Sequence, residues 1–237
     1  MKTLIQDTLW KFTENINSQT NKSDNKYYYD NNEAIRIELS SKIAKQYAGW
    51  ILIEKEIRNI TSWLNTYNDI VKEIFGDNIP KYSHIVPDNK REKSSLLKAI
   101  MVAIITSYGK LFTSAEVRKV KLDKSQFKND KDKLDLHESL MELRNKFAAH
   151  GGGHEYEFVN VVLLLDSNKD NGTMPIITRE LSQPNSLSYN DIPLLVELLN
   201  ELKEKADQKI VKLSQKLYKD IYSIDNDFWY YHANSKT

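Results

Sequence analysis

Residues 191–222 read DIPLLVELLNELKEKADQKIVKLSQKLYKDIY, and this stretch decides the fold. Its apolar residues recur three or four positions apart, which is the spacing of one face of an α-helix. The positions on this face are Ile192, Leu195, Leu199, Leu202, Ala206, Ile210, Leu213, Leu217 and Ile221. The stretch therefore predicts a long amphipathic helix that buries one side against other helices.

Three earlier segments carry the same spacing. Residues 33–75 predict a long amphipathic helix, with Gly49 as a place where it could bend or divide. Residues 94–111 predict a helix whose central turns are nearly all apolar, so it should be the buried one. Residues 134–150 predict a helix that ends at the glycines 151–153, because glycine accepts the left-handed conformation that closes a helix.

Between the last two helices the apolar pattern changes to that of β-strands. Two runs rich in β-forming residues, 156–165 and 173–179, flank the dipeptide Asn171-Gly172, which is a strong signal for a hairpin turn. Pro175 should place the second strand at a sheet edge, because proline cannot donate a ladder hydrogen bond.

Three segments follow from these patterns. Residues 1–32 predict a short helix and a polar loop, and residues 224–237 predict an aromatic tail. Residues 33–223 should form one helical domain, in which the hairpin at about 156–179 is an insertion. Residues 113–116 have the spacing of a capping box, which predicts one further short helix. The expected fold class is mainly α, a bundle of long helices with an inserted β-hairpin.

Composition narrows the class of protein. The chain has 237 residues, of which 28% are charged and 40% hydrophobic, so fibrous and wholly disordered classes are excluded. It has no cysteine, which excludes a disulfide framework, a thiolate nucleophile and a cysteine-based zinc site. Its start does not resemble a secretory leader, and its apolar runs are shorter than the roughly 20 residues that span a bilayer. We expect a cytoplasmic protein that does not contact membranes.

The positive charge of the chain is concentrated in one short part of the sequence. The net charge is only +1, so attraction to nucleic acid has to come from a patch of the surface. Residues 118–133 carry seven basic and three acidic residues, and they precede the helix predicted from residue 134. Lys121, Lys124 and Lys128, with Lys146 further on, are the candidate RNA contacts. The alternative is a solvated loop without a partner.

The helix predicted at 134–150 carries the candidate catalytic residues. At about 100° per residue, one narrow arc holds Leu136, Leu140, Leu143, Phe147 and His150. His150 therefore projects from the apolar stripe, while Arg144 lies at its margin and Asn145 lies further round. An arginine and a histidine that lie beside buried surface at a helix end are well placed to form a catalytic site.

The string Arg144-Asn145-Lys146-Phe147-Ala148-Ala149-His150 resembles the signature of HEPN domains. That signature is an arginine, then a polar residue that is often asparagine, then a histidine after four to six intervening positions. The close resemblance covers about residues 136–152, and the remaining helices agree loosely with the HEPN layout. The resemblance implies a HEPN-like helical bundle to which the β-hairpin is an addition.

The resemblance also implies an activity. Active HEPN proteins are endoribonucleases that need no metal or other cofactor, and they cleave RNA through attack of a 2′-hydroxyl on the adjacent phosphate. It implies that Arg144 holds the phosphate, that His150 exchanges protons and that Asn145 supports them. The implied assembly is a homodimer whose two motifs face each other. The implied role is that of the toxin or effector of a toxin–antitoxin or phage-defence system, with an antitoxin or another defence-system protein as a partner.

Other interpretations of the same residues stay open. His150 could be a helix-end histidine favoured by the macrodipole, and Arg144 a solvated arginine at the helix margin. A metal site built from His150, His154 and Glu155 is a weaker alternative, because the glycines break the helical register that brings two histidines together. The whole domain could also be a non-catalytic helical protein that binds a nucleotide, an RNA or a protein.

Overall fold

The computed structural model describes residues 9–16, 23–76, 90–116, 118–148, 157–168, 171–184 and 186–234. Within these residues the protein is mainly α-helical with two small antiparallel sheets, which confirms the predicted mainly α class. The chain divides into two compact units. One comprises Met1–Ala44 with Gln215–Thr237, and the other comprises Lys45–Ser214.

The unit Lys45–Ser214 is built mostly from helices. The helices that lie wholly or mostly in this unit are, in chain order, α1 (Lys42–Phe75), α2 (Arg91–Phe112), α3 (Lys131–Leu143) and α4 (Ile192–Tyr222). A π-helical turn, Arg144–Ala148, continues directly from α3. All four predicted long helices are therefore confirmed where the chain is described, although α1 begins at Lys42 and not at residue 33.

The core forms where the apolar stripes of these helices meet. On α4 the predicted stripe is buried at Ile192, Leu195, Leu199, Leu202 and Ala206. The opposing walls include Ile57, Ile60 and Leu64 of α1 with Met101, Ile104 and Tyr108 of α2. Burial of one such aliphatic side chain contributes about 1.5–3 kcal/mol, so the stripes supply the main driving force for packing.

The helix α2 is the buried helix that its composition predicts, with Met101, Ile104, Ile105, Tyr108 and Leu111 fully buried. Among the described residues it is also a helix long and apolar enough to cross a membrane. The core helix of a globular protein passes the same test of length and composition, and α2 contributes one buried side to the core.

Gly49 does not divide α1, which runs unbroken through 34 residues. A Cβ atom at this position would lie 2.1 Å from the carbonyl oxygen of Arg118 and 2.6 Å from Cγ2 of Val120. The glycine is therefore explained by the close approach of the segment that follows α2, and the predicted division is wrong.

Residues 113–116 form no helix, so the predicted short helix is wrong. These residues instead close the end of α2, whose last carbonyl groups lack helical partners. The buried guanidinium of Arg118 donates hydrogen bonds to the carbonyl oxygens of Lys110 and Thr113, and its Nε donates to Val120 O at 2.9 Å. The capping-box pattern marks a helix end here and not a helix start.

The predicted β-hairpin is present between α3 and α4. It consists of β4 (Phe158–Leu164) and β5 (Ile176–Ser182), which pair antiparallel. The second strand begins three residues later than predicted, because Thr173 belongs to the turn: its hydroxyl donates to a carboxylate oxygen of Asp166 at 2.7 Å. Gly172 has a φ of +66°, the left-handed conformation expected at the turn.

The other unit contains a three-stranded antiparallel sheet in the order β1-β2-β3. Its strands are β1 (Trp10–Ile16), β2 (Ser23–Tyr29) and β3 (Asn32–Glu33). The short helix and polar loop predicted for residues 1–32 are therefore wrong where the chain is described. The sheet contains two cross-strand aromatic pairs, Trp10 with Tyr29 at 5.0 Å between ring centroids and Phe12 with Tyr27 at 5.6 Å. Such pairs stabilise strands that polar composition alone suggests are a loop.

The end of the chain also gains structure. Residues 226–234, predicted as part of an aromatic tail, form the short helix α5 (Asn226–Asn234). The carboxylate of Asp225 accepts the backbone N–H of Asp227 at 2.9 Å, which provides the hydrogen bond that a helix start requires.

Candidate active site

The candidate motif begins where α3 changes from α-helical to π-helical winding. The helix starts after Asp130, whose carboxylate accepts a first-turn backbone N–H at 3.1 Å. After Leu143 the chain continues as the π turn Arg144–Ala148, a geometry that is rare and occurs frequently at functional sites. His150 and the glycines 151–153 lie outside the described residues.

The predicted apolar arc of this helix is confirmed where it is described. Leu136, Leu140 and Phe147 are buried and Leu143 is half-buried, so this face packs on the core. Arg144 is half-buried, which agrees with its predicted place at the margin of the stripe. Phe147 also lies beneath the ammonium of Lys98, 5.5 Å from the ring centroid.

Arg144 is held in place by neighbours on two sides. Its side-chain stem crosses Gly109 of α2, where a Cβ atom would lie 2.9 Å from Cγ, 3.1 Å from Cδ and 3.2 Å from Nε. One terminal nitrogen of its guanidinium donates to Oδ1 of Asn145 at 2.7 Å. A packed stem with an exposed guanidinium agrees both with a binding residue and with the alternative of a solvated arginine at the helix margin.

His137 is a buried histidine beside the candidate motif, for which the sequence predicted no role in the site. It is 4% exposed, and its Nδ1 lies 2.9 Å from the hydroxyl of Tyr108. The ring also meets Phe112 edge-on at 4.4 Å between centroids. Burial, and then the nearby charge of Lys124, lower the pKa of His137. A neutral imidazole at neutral pH follows. The sequence feature that could have indicated His137 is its spacing, because it precedes Arg144 by two helical turns and so lies on the same side of the helix.

An open cavity of about 440 Å³ adjoins His137. Its lining includes Lys124, His137, Glu138, Asn145 and Lys146. Three of the predicted site residues therefore share one surface depression with a buried histidine.

The two lysines at this cavity are ion-paired. Lys124 Nζ lies 3.3 Å from Glu138 Oε1, and Lys146 Nζ lies 2.7 Å from Glu142 Oε1. All four side chains are about half exposed or more, and such pairs contribute only about 0–1 kcal/mol. A stronger anionic ligand can therefore compete for either lysine.

The remaining basic residues of the 118–133 run are not gathered at this cavity. Lys121 and Lys128 are exposed but are not part of its lining. Arg118 is buried at the end of α2, and Lys133 is buried with Nζ 2.7 Å from Glu197 and 2.5 Å from Glu201 of α4. The predicted positive patch is therefore smaller than its composition suggests.

In the described part of the chain, no group of three or more His, Cys, Asp or Glu side chains is arranged to hold a metal ion. The alternative set of His150, His154 and Glu155 lies outside that part. Comparisons with protein-family models, with curated proteins and with solved structures found no match to this chain.

Proposed function

We propose that the chain is a metal-independent endoribonuclease of the HEPN type, which cleaves RNA through attack of a 2′-hydroxyl. The observation that supports this most is the placement of Arg144 at the π turn, with its stem on Gly109 and its guanidinium on Asn145. A fixed cation beside a half-buried surface can bind a phosphate in one geometry, and that is what phosphoryl chemistry requires.

Arg144 keeps the capacity to bind an anion. A guanidinium has five N–H donors, so the hydrogen bond to Asn145 leaves donors for phosphate oxygens. Charge-assisted hydrogen bonds of this type strengthen as negative charge accumulates on the phosphorane. Asn145 therefore acts on Arg144, by orienting it toward the substrate.

His150 is assigned the proton transfers by the HEPN resemblance. A base takes the proton of the 2′-hydroxyl, the 2′-oxygen bonds to phosphorus, and the bond from phosphorus to the 5′-oxygen breaks. The departing 5′-oxygen takes a proton, which leaves a 2′,3′-cyclic phosphate and a 5′-hydroxyl. Acid or base catalysis of this type contributes roughly 10²- to 10⁴-fold to the rate.

Lys124 and Lys146 offer a path for the RNA backbone. Both line the cavity that contains Asn145, and both form ion pairs that lie at the surface. RNA phosphates that displace Glu138 and Glu142 would gain the same lysines, at a cost of about 0–1 kcal/mol per broken pair. Binding should therefore weaken steeply with salt.

The same proposal includes a homodimer that brings two Arg144–His150 motifs together, since one arginine and one histidine make a sparse site. It places the protein in the cytoplasm as the toxin or effector of a toxin–antitoxin or phage-defence system. An antitoxin or another defence-system protein would be its partner.

A second function is favoured by one observation. The two lysines and the two glutamates at the cavity leave it with no net charge, which suits a site that binds a neutral or mixed ligand. In that case the domain is a non-catalytic helical protein. Of the ligands expected for it, a nucleotide, an RNA or a protein, a protein surface of mixed charge fits this cavity best, since nucleotides and RNA are anionic.

The test is cleavage of a labelled RNA by the purified protein in EDTA, with the variants Arg144→Ala and His150→Ala. We expect cleavage by the wild type and a loss of about 10²-fold or more in each variant. Arg36→Ala, at an exposed arginine of the other unit, is the matched control and should keep full activity. RNA binding without cleavage would favour the second function, and strict dependence on Mg²⁺ or Mn²⁺ would contradict the first.

A further inference from the structure

One side of α4 carries a row of three lysines, Lys205, Lys209 and Lys212, all of them exposed. At about 100° per residue they fall within an arc of about 60°, and at about 1.5 Å per residue they extend over about 10 Å. The arc lies next to the apolar stripe of the helix, which is buried in the core at Leu202 and Ala206. The lysine row is therefore held at the surface along one continuous helix.

The acidic residues of α4 do not neutralise this row. In the part of the chain that the structure describes, none of the three lysines forms an ion pair. Two acidic side chains of the same helix bind other lysines instead: Glu201 Oε1 lies 2.5 Å from Lys133 Nζ, and Asp207 Oδ2 lies 2.6 Å from Lys203 Nζ. Glu204 lies outside the arc, on another side of the helix. The whole helix has six lysines and five acidic residues, so its composition hides the row.

A short 3₁₀ turn, Lys124–Phe127, connects the row with the candidate cavity. Lys205 Nζ donates to Oε1 of Gln126 in this turn at 3.0 Å. At the start of the same turn, Lys124 belongs to the lining of the cavity that contains Asn145. The first lysine of the row therefore lies beside the turn that contributes a lysine to the cavity.

Lys121 faces the same surface as the row. The pKa of Asp123 is lowered, first by the hydrogen bonds that its carboxylate accepts from Ser125 and then by the positive charges of Lys121 and Lys205. Both lysines therefore lie near this one carboxylate, although they come from segments far apart in the sequence. One acidic group that faces two lysines leaves the surface around it positive.

We propose that Lys205, Lys209 and Lys212, together with Lys121, bind the phosphate backbone of an RNA strand where it extends beyond the cavity. The choice of RNA rests on the proposed nuclease function. Successive lysines of the row are about 4.5–6 Å apart along the helix, which is close to the separation of neighbouring phosphates in an extended strand. Lysines that contact only phosphates hold any sequence, so the row adds affinity and fixes the path of the strand without selecting bases.

The composition of the row favours a nucleic-acid backbone over a protein or a membrane. From Lys205 to Lys212 the arc contains lysines alone. A protein interface has an apolar centre, and a helix that binds in a membrane surface inserts an apolar face. The apolar face of α4 is instead used in the core at Leu202 and Ala206. A regular array of negative charge matches best what the row presents.

The test measures how binding of a single-stranded RNA depends on salt. The probe is a labelled RNA of about 12 nucleotides with 2′-O-methyl groups, which block the attacking hydroxyl, so it is bound and not cleaved. In the variant Lys205→Gln/Lys209→Gln/Lys212→Gln, the slope of log K against log salt should be smaller in magnitude by about 2, because each lost phosphate contact removes about 0.7. Circular dichroism should stay unchanged, since all three side chains are exposed.

The matched control replaces Lys45, Lys55 and Lys72 of α1 by glutamine. These lysines are also exposed and the net charge falls by the same amount, but they lie on three different sides of their helix and form no row. The control should keep the wild-type slope to within about 0.5. Equal changes of slope in both variants would show a general effect of charge and would overturn the proposal.

Two further results would overturn it: a wild type that does not bind the probe, and a triple variant at 205, 209 and 212 whose slope is unchanged. If that variant binds the RNA normally but no longer binds vesicles that contain phosphatidylserine, the row is a membrane contact and not an RNA contact. Because the probe cannot be cleaved, the measurement is independent of nuclease activity. A protein that binds the probe through the row but cuts no unmodified RNA would contradict the nuclease proposal alone.

Discussion

Replacing Gly109 by alanine separates the stability of the fold from the placement of Arg144. The added Cβ would lie 2.9 Å from Cγ of Arg144, closer than real Cβ atoms come, and 3.1 Å from Cδ. Because the atoms it meets belong to a long side chain and not to a backbone, the arginine can move away. We expect the protein to fold while the guanidinium leaves its position beside Asn145.

Two effects of Gly109→Ala on the unfolding free energy have opposite signs. Alanine in the interior of a helix is more favourable than glycine by about 0.8–1 kcal/mol. A displaced side chain that leaves its preferred rotamer costs about 0.5–1.5 kcal/mol, so the unfolding free energy should change by less than about 1 kcal/mol. A shift of about 1 Å in a positioning group can cost roughly 10²-fold in rate, and RNA cleavage should fall by about 10- to 100-fold.

The assay is urea unfolding and RNA cleavage, each measured for Gly109→Ala, Arg144→Ala and the double variant. If Gly109 acts through Arg144, alanine at 109 should stabilise the Arg144→Ala protein by about 0.8–1 kcal/mol and reduce its residual activity no further. Full activity in Gly109→Ala would refute the reasoning. So would a loss of activity on replacing Gly109 that is as large in the Arg144→Ala protein as in the wild type.

Three further changes test the rest of the structure. Gly49→Ala forces a Cβ against the carbonyl of Arg118 at 2.1 Å, so urea unfolding should show a loss of about 3 kcal/mol or more; a neutral result would mean that this packing is wrong. Tyr67→Phe leaves the buried N–H of Leu187 without its acceptor at 2.9 Å, for a loss of about 1–3 kcal/mol in the same assay, and no loss would argue against that hydrogen bond. Because burial holds the pKa of His137 below its ordinary value of 6.5, the unfolded chain binds this proton first as pH falls. The unfolding free energy should therefore decrease as the pH drops below about 6.5, and less so in His137→Asn; a contribution of opposite sign would contradict the buried neutral histidine.

The helices could be predicted because their signal is long and repeated. The stripe of α4 recurs over nine positions, and its first five are buried in the core. The hairpin between α3 and α4 could be predicted from Asn171-Gly172, which supplies the left-handed residue that the turn uses. In both cases local preference and long-range packing agree.

The elements that sequence analysis missed depend on contacts between distant residues. The strands β1 and β2 are polar, and their aromatic pairs, such as Trp10 with Tyr29, appear only once the two strands are aligned. The role of Arg118 requires the end of α2 to be in place, and Gly49 is explained only by the segment that approaches it. Short-range patterns do not contain this information.

The candidate site was predicted in part. The margin position of Arg144 followed from helical geometry, whereas its contact with Gly109 and the burial of His137 against Tyr108 came from the packing of α2 on α3. The basic run was overestimated, because composition does not distinguish an exposed lysine such as Lys121 from a buried one such as Lys133.

The chemistry of the cleaved RNA ends is the most direct measurement of the proposed activity. An RNA cut by this protein in EDTA should carry a 2′,3′-cyclic phosphate on one fragment and a 5′-hydroxyl on the other, as measured by mass spectrometry. A single 2′-deoxy nucleotide on the 5′ side of the scissile phosphate should abolish the cut, because it removes the attacking hydroxyl. Cleavage of that substituted strand, or fragments that end in a 5′-phosphate, would contradict the account.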